Sequence, residues 1–168
     1  MKKSTIHKLT RLILMVLTVA LFFNAASAQT NFSGKWARND GESNANGISI
    51  NSIPTMLEIS QDATGLSIKR TSRNGSGVVN SYTEALKFDG STSETITPSK
   101  LKRSATVKWS ADKTSLTENF VSKDDQGNVM QSGIQVFTLD NNGKTLKVKA
   151  SQDYDGQDTQ LDEVFDKQ

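Results

Sequence analysis

Leu57-Glu58-Ile59-Ser60-Gln61-Asp62-Ala63-Thr64-Gly65-Leu66-Ser67-Ile68-Lys69 reads as two short strands around a tight turn. Leu57 and Ile59 face one way, with Glu58 and Ser60 facing the other. After Asp62-Ala63-Thr64-Gly65 the alternation resumes, with Leu66 and Ile68 set against Ser67 and Lys69. Successive side chains of a strand point to opposite faces, so this period of two predicts a strand pair with one buried side. The same unit recurs at Val107–Phe120, around Asp112-Lys113, and at Val136–Lys149, around Asp140–Gly143. Each predicts a β-hairpin with a turn of about four to six residues. Shared turn chemistry accounts for the likeness without any duplication.

Outward from these hairpins, turn signals punctuate the chain at short intervals: Asn74-Gly75-Ser76-Gly77, Asp89-Gly90, Gln126-Gly127-Asn128, Asn141-Asn142-Gly143 and Asp155-Gly156. Leu86 and Phe88 bracket Lys87. Ala105, Val107 and Trp109 alternate with Thr106 and Lys108, and Leu146, Val148 and Ala150 with Lys147 and Lys149. The segments predict strands near 32–38, 56–61, 66–73, 79–88, 91–96, 102–109, 115–122, 130–139, 144–151 and 159–166. No connection carries a helix-length amphipathic pattern, so parallel crossovers are not expected. Many strands and no edge-blocking device predict an all-β antiparallel meander closed on itself. Asn39–Pro54 stands apart as a long irregular stretch, rich in Asn, Ser and Gly yet carrying Ile48, Ile50 and Ile53. Loops of that length in small domains tend to be functional, so it is expected to serve as a portal or lid.

The N-terminus predicts export. Lys2, Lys3, Lys8 and Arg11 lead an apolar run from Leu12 to Phe23, and Ala26-Ser27-Ala28 supplies the small residues that signal peptidase needs. The run is too short for a membrane span, which takes about 20 residues. Residues 1–28 are therefore expected to be a signal peptide and 29–168 a single domain, periplasmic or secreted, with no membrane anchor once cleaved. Loss of four basic residues and no acidic one turns the net charge from +2 to −2, which removes the main support for nucleic-acid binding. The chain has no cysteine, and its one histidine, His7, lies in the signal segment. Ser–His–Asp and Cys–His nucleophiles and imidazole- or thiolate-bound zinc are thereby unavailable, and neither enzymatic activity nor a cofactor is expected.

Phe32-Ser33-Gly34-Lys35-Trp36, the hairpin 56–68 and the closing Val164-Phe165-Asp166-Lys167 together resemble the calycin superfamily. The likeness extends to lipocalins, to fatty-acid-binding proteins and above all to the small exported lipocalin-like proteins of Gram-negative bacteria. The resemblance implies a barrel of eight to ten strands, with Gly34 and Trp36 of its Gly-x-Trp motif closing one end. It also implies a small apolar or amphipathic ligand bound non-covalently in the lumen. It departs from fatty-acid-binding proteins where their Arg-x-Tyr carboxylate clamp would fall, since Glu163 and Phe165 occupy those positions. The segment 39–54 is too rich in Gly, Asn and Ser for their helical lid.

Leu57, Ile59, Leu66, Ile68, Leu86, Phe88, Val107, Trp109, Phe120 and Val148 are the candidates for lumen lining or core, and alternation alone does not divide them. Trp109 ends its strand where a barrel mouth could lie. Alternation also places Arg70, Glu84, Glu118 and Glu163 on apolar faces. An unpaired charge in a dry core would cost several kcal/mol. Either these residues pair within a wet lumen, or bulges turn them outward. Asp153, Asp155 and Asp158 around Gly156 offer oxygen ligands for calcium, though without the EF-hand spacing. The alternative to a ligand carrier is a filled barrel that acts through its surface, as an inhibitor or an envelope-associated partner.

Overall fold

The computed structural model describes residues 28–46, 50, 53–154 and 156–168, so the expected signal segment, Ala28 excepted, lies outside the described residues. The strands are β1 (Gly34–Arg38), β2 (Asn44–Asn46), β3 (Met56–Gln61), β4 (Gly65–Arg73), β5 (Val79–Lys87), β6 (Ser93–Ile96), β7 (Lys102–Trp109), β8 (Ser115–Lys123), β9 (Val129–Asp140), β10 (Thr145–Tyr154) and β11 (Gln157–Lys167). They run in the order β5-β4-β3-β1-β11-β10-β9-β8-β7-β6, with β2 pairing β11 beside this path. Every ladder is antiparallel. The two ends of the path meet where Thr95 Oγ1 on β6 donates to Thr83 O on β5 at 3.0 Å. The expected all-β meander is present, curled into a nearly closed barrel with ten strands in its wall.

The hairpins close as their sequences predict, on short polar side chains that hold turn amides. Asp62 Oδ1 accepts from the Thr64 and Gly65 amides at 2.7 and 3.0 Å. Asn74 does the same for Ser76 and Val78, and Asp124 for Gln126 and Asn128.

Asn39–Pro54 corrects the expectation of a wholly irregular stretch. Its β2 strand lies along Gln160–Asp162, with Ala45 opposite Leu161. Between β1 and β2, Asn39 N donates to Val164 O at 2.7 Å, while Ser43 Oγ accepts from Val164 N at 3.0 Å. β2 therefore resumes the edge of β11 that β1 leaves. Asn44-Ala45-Asn46 has no apolar alternation, because its pairing is made by backbone alone, and the sequence offered no period to find. Further along, Arg38 Nη1 donates to Ile50 O and Ile53 O at 2.7 and 2.8 Å, and Ile53 is buried in the core. Ile48 lies outside the described residues.

One end of the barrel is packed solid. Residues 28–33 cross it: Thr30 N donates to Lys113 O at 3.0 Å, and Gln61 joins Thr30 O and Phe32 N through its side chain. Phe32 stacks on Trp109 with centroids 5.7 Å apart and meets Phe137 edge-on, while Trp109 meets Phe88 edge-on at 5.4 Å. Trp109 thus sits in the filled end rather than at a mouth. Trp36 is fully buried there, its Nε1 donating to Phe32 O at 3.0 Å. Gly34 is needed beside it: its φ is +149°, and a Cβ would stand 3.1 Å from Lys167 Cε. Phe32→Leu keeps an apolar plug but removes both ring contacts. It should cost about 0.5–1.5 kcal/mol beyond lost area in urea unfolding and alter Trp109 fluorescence, whereas an unchanged midpoint would show that the plug does not depend on stacking.

Candidate functional site

The inward residues of several strands change character in the same direction. From the packed end upward, β4 presents Leu66, Ile68, Arg70 and Ser72, and β5 presents Leu86, Glu84, Tyr82 and Asn80. β9 presents Leu139, Phe137, Gln135 and then Gln131, and β10 presents Leu146, Val148, Ala150 and Gln152. The barrel interior is therefore apolar below, charged at mid-height and polar above.

The charged layer is a closed ring. Arg70 Nε donates to Glu84 Oε2 at 2.6 Å and its Nη2 to Glu118 Oε2 at 3.1 Å. Arg103 Nε donates to Glu84 Oε1, and its Nη2 to Glu118 Oε1 at 2.5 Å. All four carboxylate oxygens thus receive a guanidinium N–H, and the two positive charges are matched by two negative ones. Gln135 Oε1 accepts a further bond from Arg70 Nη2 at 3.1 Å, and the Arg103 guanidinium lies over the Phe120 ring at 3.6 Å. All five polar residues are buried. Burial pushes Glu84 up, but Arg70 and Arg103 overcome it and hold its carboxyl below the usual value. At Glu118 burial prevails over the pull of Arg103, with the Glu84 charge adding to it, and the carboxyl lies above the usual value. Of the alternatives left open by the sequence, the structure takes the pairing one for Arg70, Glu84 and Glu118, whose strands keep their register so that the charges meet inside. Glu163 also faces inward but joins no ion pair among the described residues.

Above the ring lies a cavity of about 520 Å³. That is within the ~300–1,000 Å³ range of small-molecule pockets and equals roughly 17 water volumes at ~30 Å³ each. Arg70, Arg103 and Gln135 line it from the ring side, and Tyr82, Gln131, Gln152, Asn80, Ser72 and Glu163 from the wall. Pro54, Asn74, Thr97, Pro98, Ser99 and Tyr154 surround it at the end where the β4–β5, β6–β7 and β10–β11 turns lie, and Leu101 and Leu161 are its larger apolar side chains. A wall of mostly polar residues that also presents comparable apolar surface suits a ligand with both hydrogen-bonding groups and an apolar part.

Glu163 differs from every other charge in the interior. It faces the cavity from β11, only 3 % exposed, and its Oε2 has no hydrogen-bond partner among the described residues. Burial pushes its carboxyl up to about 7, against weaker pulls from Arg70 and Arg38 and a push from Glu118. Arg70 is already committed to the ring. Arg38 is committed to Asp40 and to two backbone carbonyls.

Among the ten candidates for lining or core, Leu57, Ile59, Leu66, Ile68, Leu86, Val107, Phe120 and Val148 are buried in the core, and Phe88 and Trp109 pack against it. None lines this cavity, whereas Arg70 does. Arg103 and Gln135 were missed, although their signal was present: Arg103 leads the Ala105-Val107-Trp109 face and Gln135 the Phe137-Leu139 face. Of the calcium candidates, Asp155 lies outside the described residues, and Asp153 Oδ1 accepts from the Gly156 amide at 3.0 Å.

No family model matches the chain, and no curated protein matches it. Among solved structures, the chain is similar to zebrafish ileal bile acid-binding protein complexed with cholic acid, at 16 % identity and a TM-score of 0.49, over 82 % of this chain and 98 % of that one.

Proposed function

We propose that the protein is a non-enzymatic carrier that binds a small amphipathic molecule non-covalently in the upper half of its barrel. The observation that carries this reading is the half-lumen: about 520 Å³ of space over a buried ion-pair ring, beside a packed apolar core. A cavity of this size with polar walls holds water when free, and an amphipathic ligand that displaced that water could satisfy the same polar groups. The amphipathic class follows from the wall, where amides, hydroxyls and charged groups outnumber Leu101, Leu161 and the two prolines. We further propose that the chain works outside the cytoplasm, in the periplasm or the medium, on the support of the Lys2–Ala28 export pattern.

Native mass spectrometry of the protein purified from its own host without denaturation tests the reading. A reproducible added mass that leaves on denaturation is expected. Ser72→Trp, which would occupy the cavity from β4, should abolish that mass while leaving the circular dichroism spectrum unchanged. An apo mass throughout would instead favour the filled-barrel reading, in which the protein acts through its surface.

A further inference from the structure

We propose that the cavity selects a ligand carrying a protonated amine, and that Glu163 receives that ammonium group. This rests on the carrier reading above and assigns the charge of its ligand. The ring is electrically complete, with each oxygen of Glu84 and Glu118 already accepting a guanidinium N–H. It offers an incoming cation no free carboxylate oxygen, and it presents an incoming anion with no net positive charge. What remains uncompensated at the cavity wall is the single carboxyl of Glu163, buried and with its Oε2 lacking a hydrogen-bond partner among the described residues.

A buried carboxylate without a partner is expensive, and an ammonium at hydrogen-bond distance both satisfies its oxygen and cancels its charge. A ligand carboxylate placed there would add a second negative charge and would bind only with Glu163 protonated. The charged and titratable groups that face Glu163 from the packed elements are Arg70 on β4, Arg38 on β1 and Glu118 on β8, with Tyr82 and Arg103 across the cavity. Both arginines that pull on it are held by other partners, so neither replaces the ligand's cation. The upward displacement of the Glu163 carboxyl, to about 7, places its ionisation where modest pH changes alter the site.

Isothermal titration of the purified protein with three probes of equal chain length, decylammonium, decanoate and decanol, tests the assignment. At pH 8 decylammonium should bind about tenfold or more tightly than either of the others, one factor of ten being a modest charge-assisted gain. Its affinity should rise between pH 6 and 8, with protons released on binding, as seen from heats that vary with buffer ionisation enthalpy. Glu163→Gln, which keeps the side chain's shape, should erase both the preference and the pH dependence. Equal or tighter binding of decanoate, or a preference that survives E163Q, would overturn the assignment and leave the carrier reading intact. Binding of none of the three by folded protein, with no added mass in the native spectrum, would overturn both.

Discussion

Arg103→Met should remove about 3–5 kcal/mol of folding stability, although methionine fills much the same space. The loss comes from what is left behind. Glu84 Oε1 and Glu118 Oε1 would each lose a guanidinium N–H in a site where both residues are buried, and a buried charge without its partner is the expensive case. Against a typical domain stability of about 5–15 kcal/mol, this is roughly a fifth of the total or more. The cation over the Phe120 ring adds a smaller term, which Met partly retains by contact. Replacing the whole ring, with Arg70→Met, Glu84→Leu, Arg103→Met and Glu118→Leu together, should recover most of the loss, because well-packed apolar groups avoid the desolvation that ion pairs must offset. Urea unfolding of the single and quadruple variants measures both. A single variant within about 1 kcal/mol of the parent would mean that the carboxyls are satisfied without Arg103, and that the ring does not hold the barrel together.

Such a ring is weak evidence for stability and better evidence for register. It ties β4, β5, β7 and β8 at mid-height, and these include β5, the strand at the end of the sheet path that meets β6 with few hydrogen bonds. A slip of one residue at any of these strands would turn its charged residue out and leave its partners buried alone.

The period of two was enough to read the hairpins and to place Arg70, Glu84, Glu118 and Glu163 on inward faces, because alternation is a local property of each strand. What those residues do inside was not legible. Arg70 meets Glu118 across a sequence separation of 48 residues, and only closure of the sheet determines that the two lie at one height. The division between core and cavity was hidden for a related reason. Leu66 and Ile68 look equivalent to Leu161 along the chain, but the former point below the ring and the latter above it. One sequence signal would have found the boundary. On β4, β5, β9 and β10 the inward residues pass from apolar to polar in one spatial direction, which means opposite directions along neighbouring antiparallel strands. β8 breaks the trend, with Phe120 above Glu118, and there it is the Arg103 guanidinium that covers the ring.

Glu163→Gln should stabilise the protein by roughly 3 kcal/mol at pH 8 and by almost nothing at pH 4. The carboxyl has an ordinary value of 4.5 and stands at about 7 in the folded protein. Between those values the folded state holds a proton that the unfolded chain has released, so stability falls as pH rises through that window and levels off above it. Glutamine carries no such proton and keeps the shape, so the variant escapes the penalty. Glu118 is displaced in the same direction, and the pH profile of the parent protein therefore contains contributions from both carboxyls. The difference between parent and variant isolates Glu163, because the ring is unchanged in both. Urea midpoints taken across pH 4 to 8 should diverge progressively above about pH 5, with the variant the more stable. A constant difference would show that Glu163 finds a partner in solution, and a gain confined to low pH would reverse the sign of its displacement. A ligand ammonium at the site should stabilise the parent protein more than the variant, offsetting at pH 8 the same penalty that the substitution removes.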